Sequence, residues 1–292
     1  MTNAHSPRPI DHLVLPAASL DVARSRLGAL GFTVAPTGVH PFGTENACVY
    51  FADGTFLEPL AVGDAALADA AVSAGNVFIA RDRLFRLSHG DEGFSALVFG
   101  TADAASDHAD FRARGVSAGD MLSFSRDFVG PDGKSDTASF RLAFATAGHT
   151  GDAFFFTCER INVPEVDRSA LQAHANSATR LVAVTATGSR PGEWLELIAP
   201  VAGVEASVAE NSIRAANATV EVLDGSVFAD RFDLAAPDGP FRLAAVTFGV
   251  KNLAAAEAML REAAILHHRI GDLLVVPPAP GQGAAFAFEE NS

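Results

Sequence analysis

Residues Asn46–Phe56 read NACVYFADGTF, and residues Asn217–Val227 read NATVEVLDGSV. At an offset of 171 residues the two stretches share Asn, Ala, Val, Asp and Gly, with Thr55 facing Ser226. Alternating residues on either side of an Asp-Gly pair are the usual signature of a β-hairpin. A hairpin recurring in matched surroundings predicts duplication, so the fold is expected to be modular.

Working outward, Ile10–Ala17 reads as a strand bounded by Pro9. Ser19 then caps a helix whose Leu20, Ala23, Leu27 and Leu30 fall at helical spacing, and Gly31 ends it. Strands follow at Phe32–Ala35, Ala47–Phe51 and Thr55–Val62, giving β-α-β-β-β. The order recurs in a strand at Ser95–Thr101, a helix at Ala102–Arg114 and strands near Met121–Arg126, Ala138–Ala145 and Ala153–Cys158. A shorter version runs from Phe241–Val250 through a helix capped by Asn252 to Leu266–Ile270, Leu273–Val276 and Ala284–Phe288. The expected class is α+β, with four βαβββ modules (the third irregular) pairing into two curved mixed or antiparallel sheets. A doubly wound parallel sheet would need single strands alternating with helices, and here strands follow each helix in runs. The polar, Pro-containing stretch Ile161–Ser177 is expected to link an N-terminal module pair, residues 8–160, to a C-terminal pair, residues 178–292.

The chain has 292 residues, 49% of them hydrophobic, enough for a sizeable core. Its net charge is −14, with 21 Lys plus Arg and no basic run, so nucleic acid and anionic membranes are not expected partners. No apolar run approaches membrane-spanning length and no secretory leader is visible, so a cytoplasmic location is expected. Cys48 and Cys158 sit in apolar strand-like runs and read as buried hydrophobes.

Several familiar patterns fail on context. Gly115–Gly119 matches G-x-S-x-G, but it follows a helix and precedes a strand, the reverse of a nucleophile elbow. Gly133-Lys134-Ser135 lacks the first Gly of a phosphate loop and the helix that should follow. Asn217-Ala218-Thr219 is a glycosylation sequon in letters only. His267 and His268, as strand neighbours, point to opposite faces and cannot share a metal.

His12 and Glu58 survive this sorting. His12 shares a strand face with Ile10 and Val14, and Glu58 shares one with Phe56 and Leu60. An unpaired carboxylate in an apolar strand is costly, so Glu58 needs a partner or a purpose. On one curved sheet the two side chains could form part of a divalent-metal site. Without a metal, they could serve as a base and its orienting group.

The βαβββ order, the opening DHLVL, the stretch HPFGTENA and the hairpin ending in TFLEPL resemble the vicinal oxygen chelate superfamily. Within it they are similar to the glyoxalase-like domain group, with its D-H strand, H-P-x-x-G-T-x-N-A stretch and Y-L-E-L strand. The resemblance implies paired modules curling into a cup, and a divalent metal held by His or Glu from first and last strands. Carried over, His12 and Glu58 take the metal positions of the first module. The second module offers no ligand in FSALVFG, and Glu159 in TCER could supply a third ligand or a general base, with Arg160 standing where relatives often have His. In the C-terminal half, Arg180 and Arg242 fall where His12 would and Ala229 falls where Glu58 would, implying a degenerate copy.

His40, Asn46, Tyr50 and Phe156 are expected to contact the small molecule, although His40, Thr44 and Asn46 could equally serve the turn they occupy. The expected function is a metal-dependent lyase, isomerase or dioxygenase acting on a small oxygenated molecule. The alternative is a metal-free binding protein whose cup is lined by some of the 22 Phe residues. A homodimer is compatible with either.

Overall fold

The computed structural model describes residues 6–129, 135–148, 153–163, 166–204 and 211–291. Strand β1 (Ile10–Pro16) leads into helix α1 (Leu20–Ala29), where the Ser19 hydroxyl accepts from the Val22 amide. Short strands β2 (Gly38–Val39), β3 (Thr44–Asn46) and β4 (Val49–Tyr50) precede β5 (Phe56–Val62). Helices α2 (Ala65–Ser73) and α3 (Val77–His89) come next. The second module comprises β6 (Ala96–Thr101), α4 (Ala104–Ala113), β7 (Leu122–Val129), β8 (Ser135–Ala145) and β9 (Phe154–Asn162). The third comprises β10 (Ala178–Gly188), α5 (Pro191–Ala202), β11 (Ser212–Arg214), β12 (Thr219–Leu223) and α6 (Gly225–Phe232). The fourth comprises β13 (Phe241–Val250), α7 (Leu253–Glu262), β14 (His268–Ile270), β15 (Leu273–Val276) and β16 (Ala285–Glu290).

These form an α+β fold with two curved mixed sheets. The first runs β2-β3-β5-β1-β6-β9-β8-β7, with β4 also on β5, and the second runs β11-β12-β10-β13-β16-β15-β14. Each has an antiparallel central pair, β1·β6 or β10·β13, flanked by parallel partners. The first sheet rolls until its ends meet. A Cβ on Gly38 of β2 would lie 2.6 Å from Nη1 of Arg126 on β7, and the Phe42 and Phe124 rings are 5.2 Å apart.

Three expectations are corrected. Residues Asn217–Val227 are not a hairpin: β12 ends at Leu223, and the Asp224 carboxylate accepts from the Ser226 and Val227 amides to cap α6. An Asp-Gly-Ser stretch serves an N-cap as well as a turn, because both use the carboxylate to bind nearby backbone N–H groups. β12 pairs parallel with β10 as β5 does with β1, setting Glu221 opposite Thr185 as Glu58 is opposite Val14. In the third module the register counterparts of His12 and Glu58 are therefore Ala183 and Glu221, not Arg180 and Ala229.

Second, Phe32–Ala35 forms no strand, although Phe32 and Ala35 are buried, whereas Thr44–Asn46 is a strand, not a turn. Third, α2 and α3 occupy residues where the sequence reading assigns no element. Gly133 and Lys134 lie outside the described residues.

The outer faces of both sheets share one apolar core with α1, α4, α5 and α7: Leu13, Leu97 and Phe155 join Val184, Val246 and Phe286. Polar clamps stitch the halves. Asn217 accepts from the Ile10 amide at 2.8 Å and donates to its carbonyl at 2.9 Å. Asp53 accepts from the Leu181 amide, while His174 bridges the Thr33 amide and the Tyr50 carbonyl. Inside the second cup, Phe228 and Phe232 of α6 pack against Leu223, Val275 and Ala287 and fill it. Among the described residues, no helix is long and apolar enough to cross a membrane.

Candidate functional site

The first cup keeps an open cavity of about 880 Å³, mouth included. Its walls are aromatic, including Phe42, Phe56, Phe78, Phe124, Phe140 and Phe156. Phe78 is carried by α3, which packs over the inner face of the sheet with Ile79 against Val14 and Phe156. Arg86 locks that helix down. It donates to Asp82 at 2.8 Å, to the Leu60 carbonyl at 2.9 Å and to the Ala17 carbonyl at 3.2 Å.

His12 and Glu58 face each other on the cavity floor, 6% and 7% exposed, because β1 and β5 are parallel neighbours and both residues point inward. His12 Nε2 is 3.4 Å from Glu58 Oε2, and the imidazole stacks on Phe56 at 4.4 Å. Its Nδ1 meets Asp11 Oδ1 at 2.6 Å. Successive strand residues should point to opposite faces, but the pairing with β6 skips between Ile10 and His12, leaving Asp11 unpaired. That bulge turns Asp11 into the cavity beside its neighbour. Arg160 on β9 then grips both Asp11 oxygens at 2.9 and 2.8 Å.

The floor is thus a line of alternating charges. Burial alone would raise the Asp11 pKa, but His12 and Arg160 outweigh it and hold the carboxyl below its usual range. Burial likewise opposes ionisation of Glu58, yet His12, His40 and Asn46 hold its pKa down at about 2. His12 is disfavoured as a cation by burial, but Asp11 and Glu58 lift it above its ordinary 6.5. His40 is different: burial pushes it down to about 4, so it is neutral at physiological pH. It contacts Thr44 Oγ1 at 2.9 Å and sits with Nε2 3.6 Å from Glu58 Oε1. Asn46 donates to the same Glu58 oxygen at 2.6 Å. Thr44 and Asn46 therefore hold the two ionisable side chains in place from a strand.

Of the residues expected from sequence, His12, His40, Asn46, Tyr50, Glu58 and Phe156 all line this cavity. Glu159 does not. It lies on the other face of β9, opposite Thr101, where it accepts from the Ala104 amide at the start of α4. Alternation along the strand separates it from Phe156 and Arg160, so it supplies neither ligand nor base to the floor. Asp11, Arg126, Arg160 and Arg168 line the cavity unanticipated. The signal for Asp11 was the D-H pair itself, but only a bulge could bring both side chains to one face. Cys48 and Cys158 also border the cavity, and burial raises both thiols, Cys48 to about 12, so they stay protonated. His267 and His268 are spent on backbone carbonyls, of Ile265 and Phe232.

The floor also decides how well a divalent cation would fit. A catalytic metal site generally takes three protein ligands and keeps one position open. Among the described residues, no group of three or more His, Cys, Asp or Glu side chains is arranged to hold a metal ion. His12 and Glu58 offer two donors, while the strands of the second module present Val98 opposite His12 and Phe156 beside it. The second imidazole, His40, has its Nε2 3.3 Å from the Asn46 amide. The residues present do not make a metal site by themselves.

Paired modules rolled around a polar-floored aromatic cup define the vicinal oxygen chelate fold. The chain belongs to the glyoxalase-like domain family, whose profile matches residues 10–202, about two thirds of its length. Among solved structures it is similar to a hypothetical protein from Staphylococcus aureus, with TM-score 0.62 and 13% identity over 97% of this chain and 99% of the other. A mutant 4-hydroxymandelate synthase from Streptomyces coelicolor gives 0.54 and 13%, covering 98% and 93%. A Mn(II)-bound glyoxalase from Novosphingobium aromaticivorans gives 0.51 and 9%, covering 98% and 82%. No curated protein matches the chain. At these identities the structural likeness speaks to the fold.

Proposed function

We propose that the first cup is the reaction site of a glyoxalase-like enzyme that moves a proton on a small carbonyl-containing molecule, as an isomerase or lyase does. The supporting observation is the buried Asp11–His12–Glu58 line at the floor of an open cavity. The second cup supplies the contrast. Its register counterpart of Glu58, Glu221, is neutralised by Arg231 from the helix that fills the cup. In the first cup an open cavity lies directly over the carboxylate of Glu58.

In this reading the substrate oxygen takes the place of Glu58 at the Nε2–H of His12, which donates to it. Asp11 holds the imidazolium in orientation through Nδ1. Freed from its cationic partner, Glu58 becomes more basic and accepts the proton from the adjacent carbon. His40 and Asn46 keep its carboxylate aimed.

The test is deuterium exchange by NMR on a panel of small α-hydroxycarbonyl compounds, with protein stripped of metal by chelator. Exchange at the carbon next to the carbonyl, lost in His12→Asn and Glu58→Gln, is the expected result. Exchange that returns only with stoichiometric manganese, iron, nickel or zinc, bound through His12 and Glu58, would replace this mechanism with the metal-dependent one implied by the superfamily resemblance. Binding without exchange under either condition would make the protein a sequestering one.

A further inference from the structure

The cavity has more positive charge than its floor requires. Asp11 is neutralised by Arg160, and Glu58 by His12. Two further guanidinium groups line the same cavity, Arg126 from β7 and Arg168 from the segment after β9. Neither forms a salt bridge with a carboxylate among the described residues. Each lies instead over an aromatic ring of the wall: Arg126 is 5.9 Å from the Phe140 centroid, and Arg168 is 5.1 Å from that of Tyr50. A guanidinium stacked on a ring is held in orientation while its N–H edge stays available. The excess is local, since the whole chain carries a net charge of −14. An acidic protein that places two such arginines inside an aromatic cup has built a receptor for a negative ligand with an apolar body.

We propose that the natural ligand of the first cup is an organic carboxylate with a flat hydrophobic body, its carboxylate taken by Arg126 and Arg168 and its body packed among Phe56, Phe124, Phe140 and Phe156. This assignment deepens the functional reading above and rests on it. Planar guanidinium forks match the two oxygens of a carboxylate, and the aromatic walls suit a body that buries its faces. The remaining polar end of the molecule then faces His12 and Glu58.

Titration calorimetry with 2-naphthoate and its neutral counterpart 2-naphthamide separates charge from shape. The acid should bind about a hundredfold tighter than the amide. Arg126→Gln and Arg168→Gln should each weaken the acid about tenfold and leave the amide unchanged, so that the double variant no longer distinguishes the two. Thermal melts of the variants within a few degrees of the unsubstituted protein would show that the loss is not unfolding. Equal binding of acid and amide, or a preference that persists in the double variant, overturns the assignment while leaving the cup a small-molecule site. If neither compound binds at millimolar concentration, the carboxylate assignment fails, and the deuterium-exchange assay judges the proton-transfer reading independently.

Discussion

Replacing Glu58 with glutamine keeps the shape of the floor and removes one charge from it. The carboxyl is held at about 2 instead of 4.5, which corresponds to about 3 kcal/mol of pairing in the folded state. Because Glu58 is only 7% exposed, little of this is screened by solvent. The sign differs for the two partners. Glu58 has a depressed pKa, so its contribution is present above 4.5 and fades as pH falls toward 2. His12 has a raised pKa, so its contribution is present below 6.5 and fades as pH rises through the folded value. The pair therefore stabilises most between about pH 4.5 and 6.5. Urea unfolding of the Glu58→Gln variant should show a deficit of about 3 kcal/mol at pH 6, shrinking to roughly half of that at pH 3 and narrowing again at pH 9. Taking the difference between the two proteins cancels the other carboxylates. A deficit that stays constant from pH 3 to pH 6 would refute the claim that Glu58 is an ionised partner of His12.

Three further outcomes follow from the same geometry. In an imidazole NMR titration, His40 should stay neutral down to about pH 5, whereas His12 should remain protonated above pH 6.5 and titrate lower in the Glu58→Gln protein, where Asp11 alone supports the imidazolium. Arg86→Met strands the buried Asp82 and releases α3, and denaturant melts should register a loss of about 3 kcal/mol, with ligand binding impaired because Phe78 is no longer fixed. Phe232→Ala hollows the second cup and should cost about 3–5 kcal/mol in the same melts, while the Asp11–His12–Glu58 line keeps its titration.

Much of this molecule was legible in local chemistry. Ser19 and Asn252 mark helix starts because a short polar side chain satisfies the exposed N–H groups there, and both cap as expected. β1 and β5 are legible as strands, since their apolar runs are bounded by Pro9 and the Asp53-Gly54 turn. The failures share a cause, which is that one local pattern can serve two tertiary settings. Asp224-Gly225 satisfies a helix start as readily as a turn, and only pairing with β10 reveals where β12 ends. For Glu159, the letters TCER hide the face. Whether a strand residue points into the cup depends on register, and one step of alternation sends it to α4. Asp11 reached the floor through a bulge, and Arg168 reached it from a segment with no strand or helix pattern.

The shared core between the two sheets has a practical corollary. Each sheet is the other's roof: the faces that carry Leu13, Leu97 and Phe155 on one side and Val184, Val246 and Phe286 on the other are dry only while both are present. A fragment ending near Asn162 would contain every strand of the first sheet, yet its back would lie open to water. Such a shortened protein is expected to clump or to seek a second copy of itself as cover. The half with the filled cup thus works as built-in shielding, and substitutions deep within it should loosen a binding site they never touch.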